Sequence, residues 1–312
     1  MERKTLSVLT PCYNESENIG ALYRQIKDVF ASLPDYDYEH IFIDNCSTDD
    51  SVEQIRTLAA TDKNVRAICN ARNFGHIRSP FYGMLQCGGA AVILMASDLQ
   101  DPPALIRDFV KKWEAGAKIV IGVKDKSEEN PLMFAIRKIY YKLVRMISDV
   151  DLVTNFTGFG LYDREFIAVL RKLDVSYPYL RGLVAELGGQ WSEVSFVQPK
   201  RRRGRTKNNF LTLYDMAMTG VVSHSKLPLR LAGIVGFILA TLSLGVAISY
   251  TIYKLLHWDE FQLGQAPIVI GLFFFAAVQL FFIGILGEYI GAIFTHVNKR
   301  PLVVERERIN FD

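Results

Sequence analysis

Three short segments each place a carboxylate and hydrogen-bonding partners directly after a hydrophobic run: PCYNE (11–15), DNCSTDD (44–50) and SDLQDPP (97–103). In the first, Pro11 and Tyr13 shape a turn, and Glu15 is suited to accept hydrogen bonds from a base or a sugar. Asp44 closes an apolar stretch, where a carboxylate can take a base N–H or a ribose hydroxyl. Behind it, Ser47 and Thr48 fit either that loop or the N-cap of a following helix. In the third segment Ser97 precedes Asp98, whose carboxylate and the Gln100 amide suit a hard cation. Mg²⁺ or Mn²⁺ bound there would bridge to diphosphate oxygens. Three acidic loops of this kind, gathered at one crevice, describe a site for a nucleotide diphosphate and its metal. A fourth segment, KRRRGRTK (200–207), is strongly basic. Such a strap can neutralise a diphosphate donor and a phosphate acceptor, or simply hold the chain to anionic lipid.

The elements that must position these loops follow from hydrophobic period. Residues 6–10, 40–43, 65–69, 90–95 and 118–123 read as buried strands. Helical patterns fall between them at 17–30, after 51 through 59, and near 105–115. Strand–helix alternation predicts a mostly parallel α/β sheet covered by helices. Such sheets bind ligands beyond the carboxyl ends of their strands, where the three acidic loops fall.

The chain changes character after Pro131. Residues 131–147 carry Phe134, Ile136, Ile139 and Leu143 among Arg137, Lys138, Lys142 and Arg145, a pattern for a helix lying on a membrane or packed on the sheet. A juxtamembrane helix is expected over 208–227. Two apolar stretches, about 229–253 and 267–294, are each long enough to cross a hydrocarbon core of about 30 Å. Basic residues flank the pair on both outer sides (KRRRGRTK before, NKRP after), while the connecting 254–265 is nearly neutral. The positive-inside rule then predicts a hairpin over 228–296, with both flanks in the cytoplasm along with the catalytic domain (1–207) and the tail (297–312). No secretory signal opens the chain, and Cys12, Cys46, Cys69 and Cys87 show no paired spacing, which fits reduced thiols. A net charge of +3 over 312 residues is too small to imply a nucleic-acid binder, and none is expected as a partner.

In order and spacing, VLTPCYNESENI, IDNCSTDDS, ARNFGH and SDLQDPP resemble the family 2 glycosyltransferases of the A-type fold. The likeness extends through LYDR (161–164), the basic strap and the terminal hairpin to the polyprenyl-phosphate sugar transferases, the dolichol-phosphate and bactoprenol enzymes. The resemblance implies that Pro11, Tyr13, Glu15, Asp44, Ser97 and Asp98 bind the nucleotide, and that Asp98 and Gln100 hold the divalent metal. It implies that Arg201, Gly204, Thr206 and Lys207 close over the phosphates, with Asp98, Arg201 and Lys207 acting in the reaction. Arg164 is a further candidate near the acceptor, or an ion-paired helix start. The expected partners are a nucleotide-sugar donor, a polyprenyl phosphate acceptor, the inner-membrane bilayer and further copies of the chain, a tetramer among them. The expected role is in cell-envelope or O-antigen glycans.

Four positions depart from the family pattern. Ala96 replaces the first Asp of the Asp-x-Asp metal motif, with Asp101 available to compensate, and Asn45 stands where Asp is common. In FTGFGLYDR, Gly158 and Gly160 occupy the places of an expected Asp and Arg. A sugar hydroxyl needs a general base, whereas a phosphate monoester, with a second pKa of about 6, is already mostly dianionic. Loss of the Asp is therefore tolerable for a lipid-phosphate acceptor. A hydroxyl acceptor, or a non-catalytic scaffold that binds nucleotide, are the competing readings.

Overall fold

The computed structural model describes residues 3–127, 153, 155–173, 175, 178–187, 189–199, 227–256, 265–298 and 300–311. The helices expected at 131–147 and 208–227 and the basic strap with Arg201, Gly204, Thr206 and Lys207 lie outside the described residues.

Period-2 alternation with apolar residues on both sides makes each central strand the middle of three layers. In β1 (Lys4–Cys12), Leu6 and Val8 face one core and Leu9 the other. In β2 (Tyr36–Asp44), Phe42 joins the first core while Ile41 and Ile43 join the second. The first core is closed by α1 (Ser16–Ala31), α2 (Ser51–Thr61) and α4 (Ile106–Glu114), through Ile19, Leu22, Ile55 and Phe109. The second is closed by α3 (Gly75–Gln86), α5 (Arg164–Arg171) and α6 (Leu180–Leu187), through Phe81, Met84, Phe166 and Val184.

The remaining strands are β3 (Val65–Asn70), β4 (Ala91–Leu94), β5 (Ile119–Ser127), β6 (Phe156–Asp163), β7 (Ser192–Gln198) and β8 (Glu305–Ile309). They form one sheet in the order β7-β5-β6-β4-β1-β2-β3-β8. Pairs β1–β2, β1–β4 and β2–β3 are parallel, so Cys12, Asp44 and the end of β4 come out at one edge. The strand β6 runs antiparallel to β4, with Leu94 opposite Gly160 and Ala91 opposite Asp163. Its start therefore lies at the crevice and its end on the far side.

The final residues are not a free tail. The strand β8 is built on charge rather than grease: Arg56 meets Glu307 through two 3.1 Å contacts, Tyr82 donates to Glu305 at 2.7 Å, and Arg308 reaches Gln86 at 2.7 Å. It pairs antiparallel with β3.

Between β7 and β8 stand α7 (Leu227–Leu256) and α8 (Gln265–Val297). At 1.5 Å per residue they extend about 45 and 50 Å. Spans Leu227–Val246 and Phe274–Phe294 are long and apolar enough to cross a membrane, and neither is buried by protein. Phe237 is 75 % exposed and Leu280 69 %. Apolar surface on this scale points to membrane association.

Candidate active site

The ends of β1 and β2 are locked together by side chains that sequence reasoning could also assign to helix capping. Asn14, with a left-handed φ of 54°, donates its backbone N–H to Ser47 Oγ at 2.8 Å and accepts from the Thr48 N–H at 2.7 Å. The Glu15 N–H donates to Ser51 Oγ at 2.9 Å. Ser47 and Thr48 are thus loop-to-loop clasps; α2 begins only at Ser51, whose N–H is taken by Asp49. The clasp presents Pro11, Tyr13 and Glu15 to a cleft of about 680 Å³, within the range of small-molecule sites.

Asp44 lies beneath that cleft rather than in its wall. It is fully buried, accepts the Ser47 N–H at 3.0 Å and also receives the Ser47 hydroxyl. Its neighbour Asn45 lines the cleft instead. The Asn45 amide donates to Asn73 Oδ1 at 2.8 Å and to the Gly75 carbonyl at 3.1 Å. Its carbonyl accepts from Asn70 at 3.1 Å and from the Phe74 N–H at 2.9 Å. One side chain therefore ties the ARNFGH loop, with Asn73 and His76 on the cleft, to the end of β2. An Asp could not make the two donations.

After β4 the chain turns through Leu99 at φ 60°. Asp98 accepts the Gln100 N–H at 3.1 Å, and Asp101 accepts the Ala96 N–H at 2.9 Å. Ser97, Asp98, Gln100 and Asp101 all line the cleft. Burial pushes the Asp101 carboxyl up to about 6. No cluster of three or more His, Cys, Asp or Glu side chains suited to a metal occurs among the described residues. Asp98 and Gln100 still fit Mg²⁺ or Mn²⁺, which are commonly held by one or two carboxylates together with substrate phosphates and water.

The opposite rim comes from the start of β6 and from the segment leading into α6: Thr157, Gly158, Pro178, Tyr179 and Arg181. Gly158 adopts φ 103°, a conformation L side chains rarely take. A Cβ on Gly160 would be driven into the Val120 carbonyl and come within 3.2 Å of Ile121 Cα. The backbone thus demands glycine at both places where the family pattern expects charge. Of the two readings of Arg164, the acceptor-side one is corrected, and the residue is the first of α5. It stands at the end of β6, on the side of the sheet away from the cleft, and donates to the Gly88 carbonyl at 3.3 Å. Asp163 caps α5 by accepting the Glu165 N–H at 2.8 Å.

Asn45, Asn73, His76 and Arg181 are cleft residues that sequence reasoning did not select. The ARNFGH motif signalled the loop holding two of them. Arg181 carried a fainter signal, a single basic residue entering an apolar helix after YPY.

Comparison with known proteins places this chain among the glycosyltransferases. The model of "Glycosyl transferase family 2" matches residues 7–170. The chain is 33 % identical to the putative glycosyltransferase CsbB of Bacillus subtilis, covering 98 % of this chain and 93 % of that one. It is 32 % identical to the bactoprenol glucosyl transferase of Shigella phage SfII, covering 95 % and 96 %. Among solved structures it is similar to glucosyl-3-phosphoglycerate synthase from Mycobacterium tuberculosis in complex with Mn²⁺, UDP and glucosyl-3-phosphoglycerate. That match is 18 % identical, covers 70 % of this chain and 78 % of that one, and has a TM-score of 0.49.

Proposed function

Because the chain belongs to glycosyl transferase family 2, we propose that it transfers a hexose from a nucleotide diphosphate donor to polyprenyl phosphate, inverting the anomeric centre. UDP-glucose and undecaprenyl phosphate are the first pair to test, in keeping with the bactoprenol glucosyl transferases it resembles over nearly its full length. The observation that carries the acceptor choice is Gly158. With φ 103° and no side chain at Gly158, this rim supplies no carboxylate among its described residues to deprotonate a hydroxyl. A lipid phosphate needs none, because its oxygen is already anionic and requires positioning and charge screening instead.

The residues divide the work along the sheet edge. Pro11, Tyr13 and Glu15 with the Asn45-held loop form the nucleotide wall, and buried Asp44 holds that wall's floor in shape. Asp98 and Gln100 would hold a divalent metal, which when bound neutralises charge on the departing diphosphate. Arg201, Gly204, Thr206 and Lys207 are proposed to close over the phosphates.

The catalytic unit is proposed to comprise 1–207 together with the returning β8, with a juxtamembrane segment 208–227 and a membrane hairpin over 228–296 between them. Placement of β7 and β8 in one sheet supports the same-side reading of the hairpin's flanks. A single sheet cannot be divided by a bilayer, so a chain that leaves it for α7 must come back. With KRRRGRTK and NKRP on those flanks, the shared side is the cytoplasmic face of the inner membrane.

The test is to incubate the purified full chain with a panel of nucleotide sugars, Mn²⁺ and undecaprenyl phosphate. Release of UDP with formation of a mild-acid-labile sugar lipid is expected, and Asp98→Ala should abolish it. A product stable to mild acid would mean a hydroxyl acceptor. No lipid product with any donor would defeat the proposal.

A further inference from the structure

We propose that Arg181, at the start of α6, is the guanidinium that receives the acceptor's phosphate; this rests on the polyprenyl-phosphate reading above. The order of strands sets the order of the reaction. From β2 through β1 and β4 to β6 the cleft crosses three strand spacings, about 14 Å. The nucleotide wall lies at the β2 end, and Asp98 follows β4 in the middle. What remains is the β6 rim, the place from which an acceptor meets the anomeric carbon on the side away from the leaving diphosphate.

That rim has the chemistry an anionic acceptor needs. The cleft's described carboxylates, Glu15, Asp98 and Asp101, follow β1 and β4, and they repel a dianionic phosphate that arrives without a cation beside it. Arg181 is the only Lys or Arg among the described residues lining the cleft. The contacts that hold it at the rim include two to β6 and to its own segment. Its Nη1 lies 3.5 Å from the carbonyl of Phe156, the residue before Thr157 and Gly158, and its Cζ lies 5.3 Å from the centre of the Tyr179 ring. A guanidinium held on an aromatic face still presents a planar fork of N–H donors matched to two phosphate oxygens.

Gly158 makes the room. A Cβ there would sit 3.7 Å from Leu94 and 3.9 Å from Leu180, the residue before Arg181. Any longer side chain would project into the gap between β6 and α6. The absence that removes a general base therefore also opens the approach to the guanidinium. In the step itself, a phosphate oxygen of the lipid forms the bond to the anomeric carbon as the carbon–oxygen bond to the nucleotide diphosphate breaks. The diphosphate leaves with the electron pair, and no proton moves to or from Arg181.

The experiment uses the full chain in detergent or nanodiscs, with Arg181→Ala and Arg181→Lys beside the wild type. Acceptor KM is measured by varying polyprenyl phosphate at saturating donor, and UDP binding in the presence of Mn²⁺ is measured by calorimetry. Arg181→Ala should raise acceptor KM at least 10-fold and Arg181→Lys by less, with the UDP affinity within twofold of wild type. Unchanged acceptor KM in Arg181→Ala overturns the assignment. So does a matching loss of UDP affinity in a variant with a normal melting curve, because that would place the residue on the donor. If Arg181→Ala does not fold, Arg181→Lys decides: a threefold or larger rise in acceptor KM supports the fork, and no rise overturns it. A wild type that makes no lipid product removes the acceptor reading and this assignment together. A wild type that turns over beside an unaltered variant removes only the assignment.

Discussion

Replacing Gly158 by Asp restores the carboxylate that the family pattern expects, and the two acceptor chemistries respond to it in opposite directions. Its Cβ enters without collision, 3.7 Å from Leu94 and 3.9 Å from Leu180. The backbone at φ 103° makes any L residue there cost about 1–3 kcal/mol of strain. Asn carries the same size and strain without charge, so Gly158→Asn is the reference. A carboxylate about 7 Å from a dianionic phosphate, at an effective dielectric of about 20, raises its energy by about 4–5 kcal/mol. Solvent in the open cleft and the bound metal screen roughly half of that, leaving about 2 kcal/mol, or about 30-fold. Steady-state kinetics with polyprenyl phosphate should show kcat/KM for Gly158→Asp about 10- to 100-fold below Gly158→Asn. A hydroxyl acceptor would instead gain a base and move the ratio upward. Equal or higher activity of Gly158→Asp with the lipid phosphate would refute the electrostatic reasoning.

Three other substitutions probe how the fold holds the site. His40 is fully buried against Thr10 Oγ1 at 3.0 Å, and burial pulls its pKa down to about 3. The folded value lies below the unfolded value of about 6.5, so stability from the neutral ring is complete above pH 6.5 and is lost toward pH 3, at about 1.4 kcal/mol per unit. Thermal melts should show His40→Gln losing about 2–3 kcal/mol less than wild type between pH 6.5 and 4.5, and parallel losses would contradict this. Asn45→Asp forfeits the donations to Asn73 and Gly75 and sets a carboxylate against two acceptors, a cost of about 1–3 kcal/mol. Donor KM should rise about 10-fold with acceptor KM little changed; an unaltered donor KM would free the loop from Asn45. Gly160→Ala forces a methyl into the Val120 carbonyl inside the sheet, so a loss of about 1–3 kcal/mol or more should appear as a lower Tm, and a wild-type melt would argue against the close β5–β6 approach.

Elements whose signal is local were legible in the sequence. The five expected strands form as β1 to β5, and the two apolar stretches become α7 and α8, because burial on both faces or in lipid writes itself into composition. Elements defined by partners were not. The helix α3 opens GHIRSP, with Gly75 first and Pro80 inside, and is held by packing Phe81 and Met84 rather than by propensity. In β8 the sequence ERERI reads as a solvated tail, and it becomes a strand through pairs to Arg56, Tyr82 and Gln86 that lie more than two hundred residues away. The acceptor-side alternative for Arg164 fails for a related reason. Its distance from the cleft depends on β6 running against β4, and strand direction is set by long-range pairing that no local pattern encodes.

The departures from the family pattern are integrated into the fold, and that weighs against a decayed scaffold. A pseudoenzyme losing its charged residues at random leaves their former partners behind, unsatisfied or repacked around small voids. Here three of the four replacements meet a demand of their own. The Asn45 amide makes four hydrogen bonds, two of which an Asp could not donate. Gly158 sits at a positive φ, and Gly160 packs against a carbonyl that leaves no space for a Cβ. Gly158 keeps the β6 rim open, and Ala96, Asn45 and Gly158 each stand where a carboxylate that would repel an anionic acceptor is expected. That fit between residue type and backbone agrees with a catalyst that uses a phosphate nucleophile and weighs against a decayed site.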